Sequence, residues 1–561
     1  MMNKVKRKVL ILKVPQWEFP DDSKSMDYTT LRNFRPMPSL ALAYLGAFLR
    51  EYASDDFDII LKDINILAFL RSEGDIHNAD IINMVKSEIK KTNYDVIGLS
   101  SPFANNMRWI KESAQWAKAF HPDKPVIVGG GYPTLFHRKA LEDTAADYIV
   151  IGEGEDVLLG LLNKIFNITN KVFNKQFPVI SGYGFREIDN SITIIPKATF
   201  IKDLDIIPFP AWDLLDAKQY LKKSKEQMLF SITSRGCPFK CTYCNTHSAW
   251  DNGIRFRSAE NILSEIDLLY HEYDIRKFHF VDDNMTANKQ RIDKLLNGLI
   301  DRNYSNFTWQ ASNLAIKSLD EETVSLMRLS RMTKAGLAIE SGSQRIQKQI
   351  KKGLNLQKAE KIYNLFLQYD IQVHLNFMIG FPMETMEDIR ETISLAKRFH
   401  AHETQVNIVT PWPETELHEQ AMNDNYLDKE VSIEDLDHRK PVGFTNVAWK
   451  YDDLNKLSYD TNILLNFLDN RDLRNPRYYG RLLEKWKLME KGLPNHVILL
   501  ICVGYIYKKI NELELSGIYY ERANELLKDK NVRQVYGKYL SWDDYQVVKF
   551  YKESIKQLLE G

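Results

Sequence analysis

Short apolar runs alternate with helical patterns along the first 200 residues of the chain. Runs rich in Val, Ile and Leu, which predict buried strands, lie at 8–14, 57–63, 95–100, 124–129 and 147–152. Apolar residues recur at helical spacing at 39–52, 81–91, 109–120 and 133–143. Near-continuous apolar strands that alternate with helices are typical of a parallel sheet covered on both faces. The pattern predicts a doubly wound, Rossmann-type α/β domain over residues 1–200.

A second set of alternating elements follows residue 220. Proline disfavours helix at the residue before it, and residues 201–220 contain Pro208 and Pro210, so this segment is predicted to be a linker. Six further strands, most of them followed by a helical pattern, are predicted at 229–233, 277–281, 308–311, 334–339, 373–379 and 403–409. Six βα units predict a partial (β/α)6 barrel of the TIM type over residues 221–425. Residues 426–561 carry helical patterns, and we expect this helical C-terminal domain to cover the mouth of the barrel.

Composition and charge narrow the class of protein. Hydrophobic residues make up 44% of the 561 residues, which is enough for several folded cores. The 75 basic and 75 acidic residues balance, so nucleic acid is not an expected partner. The longest apolar run, 497–507, is about half of the roughly 20 residues that a membrane span needs, and no signal-peptide pattern is found. We expect a cytoplasmic protein without a membrane span.

Three of the four cysteines lie close together after the first predicted barrel strand, where barrel enzymes place their active sites. Cys237, Cys241 and Cys244 supply three thiolates, which leave one iron of a four-iron cluster without a protein ligand, and an open iron can bind substrate. A structural zinc site is the alternative, with His247 as the nearest fourth ligand. Cys502 lies in an apolar pattern and is predicted to be a buried structural residue.

Loops of small residues follow three neighbouring strands of the N-terminal domain. In open α/β sheets ligands bind at the carboxyl ends of the strands, and glycine allows the backbone to approach a ligand closely. These loops predict a site for a large ligand, although tight turns that serve only the fold are an alternative interpretation. The loops consist of Ser100-Ser101-Pro102, of Gly129-Gly130-Gly131-Tyr132 and of Gly152-Glu153-Gly154-Glu155.

The cysteine spacing, with the aromatic Tyr243 directly before the third cysteine, resembles the radical S-adenosylmethionine (SAM) superfamily. The resemblance implies that Cys237, Cys241 and Cys244 hold a [4Fe–4S] cluster whose open iron binds SAM. One-electron reduction, for which we expect an external reductant of the flavodoxin or ferredoxin type, then yields a 5′-deoxyadenosyl radical that removes hydrogen from the substrate. The residues implied to contact or orient SAM, all at strand ends or in the cysteine loop, are Tyr243, Asp282, Glu340 and Ser341, with Ala338 where the family usually has glycine.

Residues 1–200 together with the barrel resemble the cobalamin-binding branch of this superfamily, and the resemblance extends over about residues 5–425. It implies that the three loops contact cobalamin, through Ser100, Ser101, Gly129, Gly130, Gly131, Tyr132 and Glu153. The Asp-x-His-x-x-Gly motif is incomplete, because Asp75-Ile76-His77 is not followed by glycine at the required position. We therefore expect cobalamin to bind without a histidine ligand from the protein.

We expect a cobalamin-dependent radical SAM enzyme, a methyltransferase that acts on an unactivated carbon of a peptide, small-molecule or natural-product substrate. One alternative is a radical SAM enzyme that does not methylate, but performs cyclisation, rearrangement or epimerisation with cobalamin as an accessory or absent. The other is a metal-binding protein without catalytic activity. The sequence identifies neither the substrate nor a catalytic residue that acts on it.

Overall fold

The structure is a computed structural model. It describes residues 5–16, 30–31, 36–72, 76–103, 106–177, 179–224, 228–250, 253–427 and 444–560. Within these ranges, none of the helices has both the length and the apolar character that a bilayer span requires.

Most of the predicted strands and helices are present in the predicted order, with further short elements between them. The strands are β1 (Arg7–Lys13), β2 (Thr30–Leu31), β3 (Phe57–Asp63), β4 (Ile76–His77), β5 (Val96–Ser101), β6 (Val126–Gly130), β7 (Tyr148–Val150), β8 (Tyr183–Arg186), β9 (Ile192–Ile195), β10 (Met228–Ser231), β11 (Ser234–Gly236), β12 (Ile254–Phe256), β13 (Lys277–Phe280), β14 (Thr308–Leu314), β15 (Met332–Glu340), β16 (Gln372–Ile379) and β17 (Glu403–Ile408). The helices are α1 (Leu40–Ala53), α2 (Ile64–Arg71), α3 (Asn78–Lys91), α4 (Met107–Phe120), α5 (Gly131–Leu135), α6 (His137–Glu142), α7 (Glu155–Ile165), α8 (Lys171–Gln176), α9 (Ala217–Ser224), α10 (Thr246–Ala249), α11 (Ala259–Glu272), α12 (Lys289–Arg302), α13 (Glu321–Leu329), α14 (Gln344–Gln349), α15 (Leu356–Gln368), α16 (Met386–Phe399), α17 (Glu416–Asn423), α18 (Tyr451–Ile463), α19 (Tyr479–Gly492), α20 (Val497–Lys509), α21 (Leu513–Leu526), α22 (Lys530–Tyr536) and α23 (Gln546–Glu560).

The N-terminal sheet has the strand order β3-β1-β5-β6-β7-β8-β9. The first five strands are parallel, which confirms the doubly wound fold, and their apolar side chains pack against helices on both faces. Strands β8 and β9 add an antiparallel hairpin that the apolar pattern did not predict, because both strands are short and polar residues separate them. The helix predicted at 133–143 is wrong as a single element, since Phe136 leaves helical geometry with φ −133° and divides it into α5 and α6.

The central sheet consists of six parallel strands in the order β10-β13-β14-β15-β16-β17, as predicted for a partial barrel. Side chains alternate in burial along β16. Val373, Leu375 and Phe377 are fully buried under the outer helices, whereas His374 and Asn376 are half-buried on the concave side. The concave face of the barrel is therefore partly polar.

Asparagine side chains cover the open edge of β17. Asn462 in α18 accepts from the Val406 backbone N–H at 2.9 Å and donates to the Val406 carbonyl at 2.9 Å. One helical turn later, in the π-helical turn Leu464–Leu468, Asn466 makes the same pair of bonds to Thr404, at 3.0 and 2.6 Å. An edge strand exposes unpaired backbone groups, so these amides take the place of a seventh strand.

The helical C-terminal region is confirmed, and its expected cover over the barrel mouth stays a prediction. The C-terminal helices pack against the edge of β17 and against one another, around the fully buried helix α20. Trp449, just before α18, reaches the carboxyl end of β16, where its indole N–H donates to the Phe381 carbonyl at 3.3 Å. Cys502 is fully buried in α20, as predicted.

Candidate active site

The three clustered cysteines lie on a loop that leaves β11 and returns, through the short helix α10, to β12. These two strands pair antiparallel in a small hairpin that the sequence pattern did not predict. The N–H of Thr242, within the loop, donates to the Ile350 carbonyl at 3.0 Å, and its carbonyl accepts from the Leu417 N–H at 2.8 Å. The hairpin and these backbone bonds fix the loop against the carboxyl ends of the barrel strands.

A half-buried lysine, Lys352, lies beside the thiols, which are themselves half-buried. Burial raises the pKa of Cys241, and the charge of Lys352 opposes this rise. Lys352 places its Nζ 3.2 Å from Oε1 of Glu340. Burial lowers the pKa of Lys352, but the Glu340 carboxylate and Cys241 outweigh burial and raise the pKa above its usual value. A permanently charged lysine is suited to offset the negative charge of thiolate ligands.

The spacing of the thiols bears on the kind of metal site. Cys244 lies close enough to Cys237 and Cys241 for their charges to interact. In the described ranges, however, no three His, Cys, Asp or Glu side chains converge tightly enough to hold one metal ion. His247, the predicted fourth zinc ligand, places its Nε2 2.8 Å from the Phe239 carbonyl. Three neighbouring thiols on one loop fit the open three-thiolate arrangement of a four-iron cluster.

A buried ion-pair network joins this hairpin to the N-terminal sheet. Arg235, two residues before Cys237, places Nη1 3.0 Å from Oε2 of Glu153 and Nη2 2.5 Å from Oε1 of Glu155. Arg255 on β12 binds the other oxygen of Glu153 and also donates to the Ile201 carbonyl at 2.6 Å. Burial raises the pKa of Glu155, but the charge of Arg235 outweighs burial and holds this pKa below its usual value. The network places the Glu153 carboxylate, predicted to contact cobalamin, between two arginines.

The same interface brings the loops of the two domains into direct contact. Helix α10, which begins two residues after Cys244, packs on α5, which follows Gly130. Gly152 has φ +75°, and a Cβ there would lie 3.2 Å from the Ala249 carbonyl oxygen. The carboxyl edge of the N-terminal sheet and the cysteine loop are therefore neighbours. The sequence indicated both sites but not their contact.

The neighbouring glycines Gly129 and Gly130 at this sheet edge differ in the space around them. In the parallel register Ser100 lies beside Gly129, and Ser101 lies beside Gly130. Gly130 has φ +101°, and a Cβ there would lie 1.9 Å from the Ser101 carbonyl oxygen, so close strand packing requires this glycine. A Cβ at Gly129 would meet its nearest neighbour, in Val150, at 3.8 Å. Gly129 therefore has room that Gly130 lacks.

Comparison with known proteins agrees with this arrangement of two domains. The model of the radical SAM superfamily matches residues 231–396, and the model of the B12 binding domain matches residues 35–162. The chain is a B12-binding member of the radical SAM superfamily. The radical SAM domain uses a [4Fe–4S] cluster together with SAM, and the B12-binding domain uses cobalamin.

Several curated proteins resemble most of this radical SAM chain. An uncharacterized methyltransferase of Pyrococcus horikoshii is 29% identical over 70% of this chain and 80% of its own length. Cytidylyl-2-hydroxyethylphosphonate methyltransferase of Streptomyces wedmorensis is 25% identical over 74% of this chain and 83% of its own length. Anaerobic magnesium-protoporphyrin IX monomethyl ester cyclase of Rubrivivax gelatinosus is 24% identical over 68% of this chain and 65% of its own length.

Solved structures share the fold. The cobalamin-dependent radical SAM enzyme OxsB, with aqua-cobalamin bound, has a TM-score of 0.63 at 15% identity, over 99% of this chain and 80% of that chain. The radical SAM methyltransferase TsrM from Kitasatospora setae, with cobalamin and a [4Fe–4S] cluster bound, has a TM-score of 0.60 at 15% identity, over 75% of this chain and 76% of that chain. At this level of identity, these likenesses establish the fold.

Glu340 and Tyr243, two residues predicted to contact SAM, lie near the cysteine loop of this radical SAM domain. Glu340 ends β15 at a register shift against β16 and has φ +70°, a strained conformation for a residue with a side chain. Burial, together with the charge of Glu340, raises the pKa of Tyr243 well above its usual value. The Tyr243 ring lies edge-on to Phe381, with centroids 5.9 Å apart. The structure brings both residues to the place where a SAM contact is expected.

Asp282 and Ser341 are instead bonded to neighbouring elements of the barrel. Asp282 accepts from the Thr233 backbone N–H at 2.9 Å and from the Ser234 hydroxyl at 2.5 Å. The Ser341 hydroxyl lies 3.2 Å from that of Thr392 in α16. In this structure both side chains support the ends of strands, and the SAM contacts proposed for them stay predictions.

Asn284 is a site residue that the sequence analysis did not single out. Its Nδ2 donates to Cys237 Sγ at 3.6 Å, while its buried Oδ1 has no hydrogen-bond partner within the described residues. A buried acceptor without a donor is costly, and a bound ligand that supplies an N–H group would satisfy it. The position, two residues after Asp282, was the signal that could have identified it.

The cobalamin contacts proposed in the sequence differ in how they are placed. Ser100, Gly129 and Gly131 are half-buried at the sheet edge, whereas Ser101 is buried and bonds through its hydroxyl to the Phe103 carbonyl at 3.1 Å. The buried Tyr132 places its hydroxyl 3.2 Å from Asp143. His77, the histidine of the incomplete Asp-x-His-x-x-Gly motif, belongs to β4, and its side chain lies outside what the structure describes. The predicted absence of a histidine ligand stays a prediction.

Proposed function

We propose that the chain is a cobalamin-dependent radical SAM methyltransferase that acts on an unactivated carbon of a small-molecule or peptide substrate. When bound, SAM on its cluster supplies a radical that removes hydrogen from the substrate, and cobalamin supplies the methyl group. Both groups must reach one carbon atom, so methyl transfer requires adjacent sites. The observation that supports the proposal best is the contact between α10 and α5, which makes the cysteine loop and the B12-domain edge neighbours. The methyltransferase names of two relatives support it further.

The residues of the chain divide the work between the two sites. Cys237, Cys241 and Cys244 would hold the cluster, and Lys352 would offset their negative charge. Glu340 and Tyr243 would orient SAM, while the unpartnered Oδ1 of Asn284 would accept a hydrogen bond from its ammonium group. The Glu153–Arg235 network would hold the distance between the two sites constant, so that the methyl donor stays within reach of the substrate radical.

The proposal is tested with reconstituted, cobalamin-loaded protein under anaerobic conditions. The protein is incubated with SAM and a reductant, and 5′-deoxyadenosine and S-adenosylhomocysteine are quantified together. Both products are expected, since reductive cleavage of SAM gives the first, and transfer of the SAM methyl group to reduced cobalamin gives the second. The control Cys241→Ala should make no 5′-deoxyadenosine, because the cluster lacks a ligand.

A radical SAM enzyme that does not methylate is the second candidate, favoured by the likeness to the anaerobic cyclases. The same assay distinguishes the two functions. If the wild type makes 5′-deoxyadenosine but no S-adenosylhomocysteine, and retains no cobalamin, the methyltransferase proposal is wrong and the second candidate replaces it.

A further inference from the structure

We infer that lysines around the exposed outer face of the cysteine loop form the docking surface for an acidic electron-transfer protein. The inference rests on the proposed function, because reductive cleavage of SAM consumes one electron for each radical formed. Four cysteines occur in the sequence, three of them in the loop, and the fourth, Cys502, is fully buried in α20. The cysteines thus provide for one cluster and no relay of clusters. The electron must therefore pass from an outside donor directly to the cysteine loop.

Within the described residues, the cysteine loop is most exposed at 238–240. Pro238 and Lys240, between the first two cysteines, are exposed, and Phe239 between them is half-buried. On another side, the buried Arg235 network attaches the hairpin to the N-terminal domain. Ile350 and Leu417 bond to the Thr242 backbone from the barrel side. A donor can therefore come closest to the cluster ligands at residues 238–240.

Basic residues surround this exposed part of the loop. Lys317 is exposed and places its Nζ 4.7 Å from the centroid of the Phe239 ring. Lys348 and Lys351 are exposed on either side of Ile350, the residue that bonds to the cysteine loop. We call Lys240, Lys317, Lys348 and Lys351 the lysine rim.

The sequence around the rim is strongly one-sided in charge. Residues 344–359 and 234–250 together contain seven basic residues and no acidic residue, and carboxylates from elsewhere in the chain pair with Arg235, Arg345 and Lys352. The exposed Lys240, Lys317 and Lys348 form no ion pair within the described residues. Glu416 of α17 balances Lys351, with Nζ and Oε2 2.6 Å apart. The chain as a whole is neutral, so this local excess is a patch and not a property of the entire surface.

Charge and shape together indicate the partner. A basic surface accelerates association with an acidic protein through long-range attraction, and a small apolar centre inside a charged rim is the usual anatomy of a transient interface. Pro238 and Phe239 form that centre. The partner is therefore a small acidic protein that carries a one-electron donor such as a flavin. The donor loses one electron and the cluster gains it, and no covalent bond forms between the two proteins.

The test compares two reductants on the intact, reconstituted enzyme. Flavodoxin, kept reduced by its reductase and NADPH, is the acidic protein probe. Chemically reduced methyl viologen is a small cation that gains nothing from the lysine rim. The rim variant carries Lys317→Glu, Lys348→Glu and Lys351→Glu. The control variant carries Lys530→Glu, Lys549→Glu and Lys552→Glu, the same change of charge at exposed lysines of the C-terminal helices.

We expect the rim variant to raise the KM for flavodoxin at least tenfold at low salt, and to lose most of the salt dependence that wild type shows. Its rate of 5′-deoxyadenosine formation with methyl viologen should equal that of wild type, and the control variant should match wild type with both reductants. The inference is wrong if the rim variant keeps a wild-type KM for flavodoxin, or if both reductants fail equally with it. If wild type itself cleaves no SAM with methyl viologen, the proposed function fails, and the inference fails with it.

Discussion

Removal of the Glu153 carboxylate should loosen the attachment of the cysteine hairpin to the B12-binding domain. The side chain of Glu153 is fully buried, and those of Arg235 and Arg255 are at most 12% exposed. Breaking a buried ion pair by removing one partner costs about 3–5 kcal/mol, since the remaining charge stays buried. Arg235 keeps Glu155, so we expect Glu153→Ala to cost about 3 kcal/mol, at the lower end of this range.

Hydrogen exchange measured by mass spectrometry reports this loss at the hairpin itself, separately from the stability of the other domains. At about 1.4 kcal/mol for each factor of ten, a cost of about 3 kcal/mol corresponds to roughly hundredfold faster exchange of the amides in β11 and β12. Formation of S-adenosylhomocysteine should fall more than formation of 5′-deoxyadenosine, since methyl transfer needs both sites and SAM cleavage needs one.

An exposed ion pair at a domain boundary provides the control. Arg50 and Asp213 are 2.7 Å apart, with side chains 47% and 52% exposed, and exposed pairs contribute about 0–1 kcal/mol. Asp213→Ala should therefore leave exchange in the hairpin within about threefold of wild type. If Glu153→Ala behaves in the same way as Asp213→Ala, the network does not hold the two domains together and the reasoning is refuted.

Three further predictions concern the fold and the loops near the site. Asn466→Leu should lower the free energy of unfolding by about 2 kcal/mol or more, because the β17 edge loses both amide bonds. Urea denaturation should show no comparable loss for Asn455→Leu on the exposed face of α18. Glu384 is buried, and burial raises its pKa to about 8. Its contribution to stability is therefore complete below about pH 4.5 and is lost as the pH rises through about 8. The melting temperature of wild type should fall relative to Glu384→Gln over this range, and a constant difference would contradict the assignment. Gly130→Ala should destabilise the protein by about 1–3 kcal/mol through strain and the clash with Ser101. Gly129→Ala should stay within about 0.5 kcal/mol of wild type in the same denaturation assay, and equal losses in both would disprove the distinction.

Contiguous patterns were readable from the sequence, and contacts between distant segments were not. The parallel strands of both sheets and the cysteine loop follow from local hydrophobic runs and spacing. Arg235 and Glu153, in contrast, are 82 residues apart and belong to different domains. Each alone is an ordinary charged residue, and only the packed interface makes them a buried pair.

Two other features show the same limit. The asparagines at 462 and 466 carry no hydrophobic signal, so their role at the edge of β17 depends on tertiary structure. Gly130 was expected to make room for a ligand, but the position of its Cβ shows that the packing of β5 against β6 already requires glycine there. In both cases only the structure shows the contact that requires the residue.

Electron paramagnetic resonance tests the central claim, that the two cofactor sites lie side by side, most directly. The cobalt(II) form of cobalamin and the reduced cluster are both paramagnetic, and neighbouring spins broaden each other's spectra and shorten their relaxation times. We predict that the cobalt(II) signal of the loaded enzyme broadens when the cluster is reduced, and that this broadening is missing in cobalamin-loaded Cys241→Ala. A cobalt(II) signal that is identical with the cluster oxidised and reduced would contradict the account.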